Sequence, residues 1–144
     1  MHWIHRILAT REDWAITAAR VFGGAMMFAH GAQKMLGWWG GGGFAATMEK
    51  MSAGLPAPIV FLVIMIEFFG AIFLFLGLLT RPAALALVIV MLGAIFKVHL
   101  KNGFFASDKG IEMALLYLVI ALVPLIGGGG ALSLDRLILS RKKS

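Results

Sequence analysis

Residues 14–39 read WAITAARVFGGAMMFAHGAQKMLGWW. The run is long enough to cross a bilayer, whose hydrocarbon core takes about 20 helical residues. Yet it carries Arg20, His30 and Lys34. Ionisable groups inside a membrane helix are expensive, and they persist where they face a protein interior or a wet cavity. At about 100° per residue, Arg20, Gly24, Met27, Gly31 and Lys34 fall on one stripe, with His30 at its edge. Ile16, Val21, Phe28 and Met35 fall on the opposite side, the one expected to face lipid. A stripe that is both polar and small needs a partner surface elsewhere in the chain.

Of the 144 residues, 60% are hydrophobic and 14% are charged, and the mean hydropathy is +0.92. A soluble domain of this length could not hide so much apolar surface. The expected class is an all-α integral membrane protein: a four-transmembrane-helix bundle forming a single membrane domain over 1–144. The spans are expected near 14–36, 57–79, 82–100 and 111–126. Short amphipathic interfacial helices are expected at both ends. The first is MHWIHRILATRED at 1–13, with Trp3, Ile4, Ile7 and Leu8 on one face; the second is LDRLILSRKK at 134–143, with Ser133 as its N-cap. Trp38 and Trp39 read as interface anchors, Gly40–Gly43 as a flexible break, and Phe44–Ser52 as a short helix. Arg81 and Pro82 are expected to make the turn into the third span, and Pro124 to kink the fourth.

The composition also excludes chemistry. With no cysteine, the chain can do no thiol–disulfide exchange and offers no thiolate to an iron–sulfur cluster. No H-x-x-x-H or E-x-x-H spacing supports a metal site, so none is expected. The glycine runs lack the strand–loop–helix setting of a phosphate loop. The net charge of +6 draws on a terminal RKKS, which in a membrane protein reads as a topology signal or a contact to anionic lipid, not as nucleic-acid binding. Arg6, Arg11, Arg81, Arg136, Arg141, Lys142 and Lys143 fall on one side of the bilayer. Lys34, Lys50, Lys97, Lys101 and Lys109 fall on the other. The excess places both termini in the cytoplasm.

Depth then selects partners. At 1.5 Å of rise per residue, His30 lies roughly 9 Å below the outer end of its span and Glu67, the one charge in 57–79, roughly 15 Å below the outer end of its own. Helical side chains lean toward their N-terminus, so His30 leans inward, Glu67 leans outward, and the two are expected to converge. Arg20 leans the other way, toward the cytoplasmic headgroups. Lys97 and His99 are two residues apart and point to nearly opposite sides, so only one can face the bundle. The expected outer-half cluster is His30, Lys34, Glu67, Glu112 and either Lys97 or His99. The alternative reading makes Glu67 a tether between helices, and lets Lys34, Lys97 and Lys101 snorkel to the outer surface.

Several pieces in order resemble the DoxX family of small four-helix bacterial membrane proteins. They are Arg20 with HGAQKMLG at 30–37, IEFFGAIFLFLGLLTRPAAL at 66–85, MLGAIFKVHLKNGFF at 91–105, Glu112, and GGGGALSLDRLI at 127–138. Arg20, Lys34, Glu67, Arg81, His99, Glu112 and Asp135 all lie within the match. The resemblance implies a multi-pass protein of the bacterial cytoplasmic (inner) membrane, linked to membrane oxidoreductases that include a thiosulfate:quinone enzyme. Function is therefore expected to be that of a quinone-linked oxidoreductase subunit. As the catalytic pair, Glu67 would take or give the proton that accompanies reduction and His30 (or Lys34) would donate to a quinone oxygen. Lys34, Trp38, Trp39, His99 and Glu112 would bind the quinone or small substrate, with Trp38, Trp39 and Phe44 closing the pocket from above. Arg20 and Arg81 would serve structure or topology. No cofactor is expected to be covalently bound. Lipid, a redox partner protein and a second copy of the chain are the expected partners. A non-enzymatic anchor or assembly module, or a small proton-coupled carrier, would use the same residues differently.

Overall fold

Asp13 sets the start of the first long helix. Its carboxylate accepts from the Ala15 N–H at 2.7 Å and from the Ile16 N–H at 3.3 Å, satisfying donors that no preceding turn can reach. The computed structural model describes residues 7–141. Most of the expected N-terminal interfacial helix, and Lys142 and Lys143 of the tail, lie outside these residues. Helix α1 runs Trp14–Met35 and α2 Gly43–Ser52. Among the described residues, helices α3, Ala57–Leu76, and α4, Thr80–Asn102, are the two long and apolar enough to cross a membrane. Helix α5 runs Glu112–Gly127 and α6 Leu134–Arg141. The described residues form helices and connecting turns, with no strand among them.

Helix α1 packs on α3 and α5, and α4 closes the ring by packing on α3 and α5 in turn. Met27, Ala71, Leu74, Ala84, Leu87, Met91, Tyr117 and Ala121 fill the centre. The expected stripe on α1 faces inward, with Arg20, Gly24, Met27 and Gly31 buried. Its glycines set how close α3 can come. A Cβ at Gly24 would stand 2.7 Å from the Phe75 nitrogen, and one at Gly31 would stand 2.7 Å from the Glu67 carbonyl carbon. Small residues at these positions let the two backbones touch. Ile16 departs from expectation: it is buried, not lipid-facing. Gly127 of α5 has no side chain, and Ile16 packs into the space that leaves.

The turn between α3 and α4 also differs from the sequence reading. It falls at Gly77–Leu79, where Gly77 (φ 67°) and Leu79 (φ 46°) are left-handed, and Arg81 and Pro82 belong to the first turn of α4. Proline suits that position, because the N–H it lacks has no acceptor in a first helical turn. Two buried charges hold this turn. Asp135, fully buried in α6, accepts from the Leu79 N–H at 2.7 Å and the Thr80 N–H at 2.8 Å. Its own N–H donates to the Gly77 carbonyl at 2.9 Å.

Arg20 holds the same turn from the other side. The residue is 2% exposed, so it does not reach headgroups as its direction along α1 had suggested. Nε donates to the Gly129 carbonyl and Nη1 to the Leu74 carbonyl, each at 2.8 Å, and the guanidinium also donates to the Phe75 and Leu132 carbonyls. Leu74 and Phe75 are in the last turn of α3, where carbonyls carry partial negative charge; the Leu74 carbonyl also accepts from the Gly77 N–H at 3.2 Å. Arg81 does the corresponding work at the surface, donating to the Leu125 carbonyl at 3.1 Å and the Ala9 carbonyl at 3.2 Å. Ser133 caps α6 as expected, its Oγ accepting from the Arg136 N–H at 3.3 Å, while Arg136 pairs with Glu12.

Arg20→Lys tests the clamp. An ammonium keeps the charge but cannot present a planar fork to four separate carbonyls, and each orphaned buried acceptor costs about 1–3 kcal/mol. The midpoint of thermal unfolding in detergent is expected to fall by about 5–10 °C. An unchanged midpoint would show that the carbonyls are satisfied in another way.

Candidate functional site

In two places the long apolar helices widen out of α-helical geometry. Ile66–Gly70 of α3 and Ile95–His99 of α4 are π-helical turns. Each wider turn admits one extra residue and rotates the next turn of the helix, and such turns recur at functional sites. The first contains Glu67 and the second contains His99. Both side chains line one cavity of about 250 Å³, with His30, Lys34 and Tyr117 as its other polar walls. Met27, Met91 and Met113 supply much of the apolar lining.

Two polar pairs cross this cavity from α1. Lys34 forms an ion pair with Glu67 Oε2 of α3. Glu67 is 5% exposed, while about a third of the Lys34 side chain remains open. His30 Nε2 lies 2.9 Å from the Tyr117 hydroxyl of α5, their rings edge to face with centroids 5.3 Å apart. His30 and Glu67 therefore share the cavity but are not partners, contrary to the depth argument. The reason is the contact at Gly31. The Glu67 backbone sits against Gly31, so a side chain leaning toward the α3 N-terminus points outward to Lys34. His30 faces the neighbouring gap, which α5 fills with Tyr117. Lys34 accordingly turns inward and does not snorkel.

The remaining candidates divide between the cavity and its surroundings. His99 faces the bundle and Lys97 is exposed, which decides between them. His99 Nδ1 is 2.7 Å from the Lys109 carbonyl. Glu112 does not reach the cavity; its carboxylate accepts from the Ala106 N–H at 2.7 Å and ties down the α4–α5 loop. Trp38 and Trp39 do not close the cavity either. Both are exposed, with Trp38 edge-on to Phe28 and to Trp39, positions suited to anchoring at an interface. Phe44 packs on Phe61 of α3 and is likewise absent from the lining. Tyr117 was missed by sequence reasoning. It is the single tyrosine of the chain, and a hydroxyl amid an otherwise apolar span was the available signal, since buried tyrosines find hydrogen-bond partners.

Lys34→Met, Glu67→Gln and the double variant separate the pair from its surroundings. Each single change leaves one half of the ion pair uncompensated, whereas removing both removes the desolvation problem as well. A double-mutant cycle on unfolding in detergent is expected to give a coupling of about 1–3 kcal/mol. Additive effects would mean that the two side chains do not interact in the folded state.

Comparisons with known proteins bear on the family. A family model described as DoxX matches residues 15–100, which takes in α1–α3 and α4 as far as His99 and Leu100. A Haemophilus influenzae protein described only as "Uncharacterized protein" is 35% identical over 113 residues, covering 76% of this chain and 80% of its own length. A Bacillus subtilis protein named "Putative oxidoreductase CatD" is 30% identical over 126 residues, 87% of each chain. No solved structure is a significant match. The chain belongs to the DoxX family.

Proposed function

We propose that this chain is the membrane subunit of a quinone-linked oxidoreductase, and that the cavity between α1, α3, α4 and α5 binds the quinone ring. In this reading α1 and α5 cross the bilayer with α3 and α4, and both termini lie in the cytoplasm. The outer surface of the bundle supports the crossing. Phe22 on α1, Phe69 and Phe73 on α3, Ile89 and Phe96 on α4, and Val119 and Ile126 on α5 all point away from the core, with Phe22 70% and Ile126 64% exposed. A soluble monomer does not carry large side chains outward on every long helix; hydrocarbon is the solvent that suits them. At 1.5 Å per residue α1 is roughly 33 Å long, enough for the hydrocarbon core, and α5 is roughly 24 Å.

The observation that carries the functional reading is the cavity itself. Its volume of about 250 Å³ lies just below the roughly 300–1,000 Å³ of common small-molecule pockets, so it suits one ring with the remainder of the ligand lying outside. Its walls combine soft methionine surface, which accommodates a flat ring, with donors and acceptors held at fixed places. Lys34 Nζ has donors beyond the one given to Glu67 and can donate to a ring oxygen. Glu67 can take or give the proton that accompanies a change in the ring's oxidation state, with Lys34 compensating the carboxylate charge. His30 and Tyr117 form a second proton-holding pair on the facing wall. The chain supplies no redox centre of its own in this reading, so electrons come from a partner protein; the relative named "Putative oxidoreductase CatD" supports redox chemistry as the class of reaction.

A second reading keeps the same contacts without chemistry. The mutual pairing of Lys34 and Glu67 favours it, because a compensated buried pair can serve helix registry alone. Protein purified in mild detergent separates the two. Solvent extraction and mass spectrometry are expected to find close to one quinone per chain in the native protein and much less in Glu67→Gln. Native protein devoid of quinone, or a Glu67→Gln variant that holds it equally well, would favour the structural reading.

A further inference from the structure

The balance of donors and acceptors in the cavity carries a second conclusion, which rests on the quinone-site reading and specifies it. His99 Nδ1 is 2.7 Å from the Lys109 carbonyl. A carbonyl oxygen only accepts, so Nδ1 carries the hydrogen of the neutral ring. Nε2 is then unprotonated. It has no partner among the described residues, and His99 lines the cavity. Glu67 is in the same position: Oε2 takes Lys34, and Oε1 has no hydrogen bond among the described residues. Tyr117 and His30 consume one donor and one acceptor between them. The cavity therefore offers two acceptors that only a ligand donor can satisfy, Nε2 of His99 and Oε1 of Glu67, beside the ammonium of Lys34 and the one donor that the His30–Tyr117 pair keeps.

An oxidised quinone ring carries carbonyl oxygens, which accept and cannot donate. It could use Lys34 and the donor left on the His30–Tyr117 pair, but would leave both acceptors facing apolar ring atoms. A reduced ring carries hydroxyls, each of which donates and accepts. We infer that the cavity prefers the hydroquinone form, and that His99 Nε2 is the acceptor that selects it by taking a hydrogen bond from a ring hydroxyl. Sites built to pair a ligand hydroxyl discriminate strongly against the analogue that lacks it, because the unpaired protein group is then left desolvated. The π-helical turn over Ile95–His99 ends on this residue, and the carbonyl that fixes its tautomer belongs to the α4–α5 loop. Preferential binding of the reduced form also bears on the reaction. A tenfold preference raises the two-electron potential of the bound couple by about 30 mV, which draws electrons toward the site from the partner that supplies them.

The test titrates detergent-solubilised full-length protein with a short-chain benzoquinone and, under anaerobic conditions, with its hydroquinone, both by calorimetry. The native protein is expected to bind the hydroquinone about tenfold more tightly. His99→Asn keeps a donor near the Nδ1 position for the Lys109 carbonyl and removes the Nε2 acceptor. It is expected to lose the preference while still binding the quinone. His99→Gln places an amide oxygen near Nε2 and is expected to restore part of it. Equal affinity for the two forms in the native protein, or a preference that survives in His99→Asn, overturns the assignment of His99. Binding of neither form overturns the quinone-site reading and this inference with it.

Discussion

Arg20 is a buried cation held by four carbonyl oxygens, and the rest of the bundle is arranged around that clamp. The guanidinium reaches from α1 to the last turn of α3 and to the Gly129–Leu132 segment. Asp135 of α6 grips the same α3–α4 turn from the opposite direction, through the Leu79 and Thr80 N–H groups. The arginine meets the carbonyl end of one helix and the carboxylate meets the amide end of the next, which is the pairing that helix termini favour. Backbone dipoles compensate both charges, and Asp135 also attracts Arg20 across the turn. Buried backbone groups in a turn must be satisfied internally, and here two side chains from distant parts of the sequence do so.

With the end of the bundle at the α3–α4 turn fixed, the opposite end is free to be wet. Gly24 and Gly31 bring α1 onto α3, and the π-helical turns then re-aim Glu67 and His99 into the gap that opens between α3, α4 and α5. The cavity thus depends on backbone irregularity at two places and on close packing at two others. Lys34 and Tyr117 complete it by reaching across from α1 and α5. The division of labour is spatial: arginines and Asp135 build the half of the bundle at the α3–α4 turn, while histidines, Lys34 and Glu67 face the cavity in the other half.

Much of this could be read from residues 14–39 and from the lone Glu67. The inward stripe of α1 follows from its 3.6-residue period, and the placement of His30, Lys34 and Glu67 around one space follows from depth. Pairing was not legible in the same way. It depends on which side chain meets which gap, and the Gly31 contact shifts Glu67 from His30 to Lys34. The π-helical turns leave no mark in composition, so the choice between Lys97 and His99 stayed open until the backbone was seen. Arg20 was misdirected because its lean along the helix pointed to the headgroups, while its partners lie more than fifty residues away in sequence. Trp38, Trp39 and Glu112 were drawn toward the site because they are the polar and aromatic groups nearest the outer ends of their helices. Their actual contacts are with local loops and neighbouring rings.

The central claim is that a quinone ring occupies the space between the Lys34–Glu67 pair and the His30–Tyr117 pair. An experimental structure of the protein soaked with a short-chain benzoquinone addresses it most directly. The account predicts ring density enclosed by α1, α3, α4 and α5, with an oxygen within hydrogen-bond distance of Lys34 Nζ. Density confined to the lipid-facing surface of the helices, with the cavity filled by water alone, would contradict it.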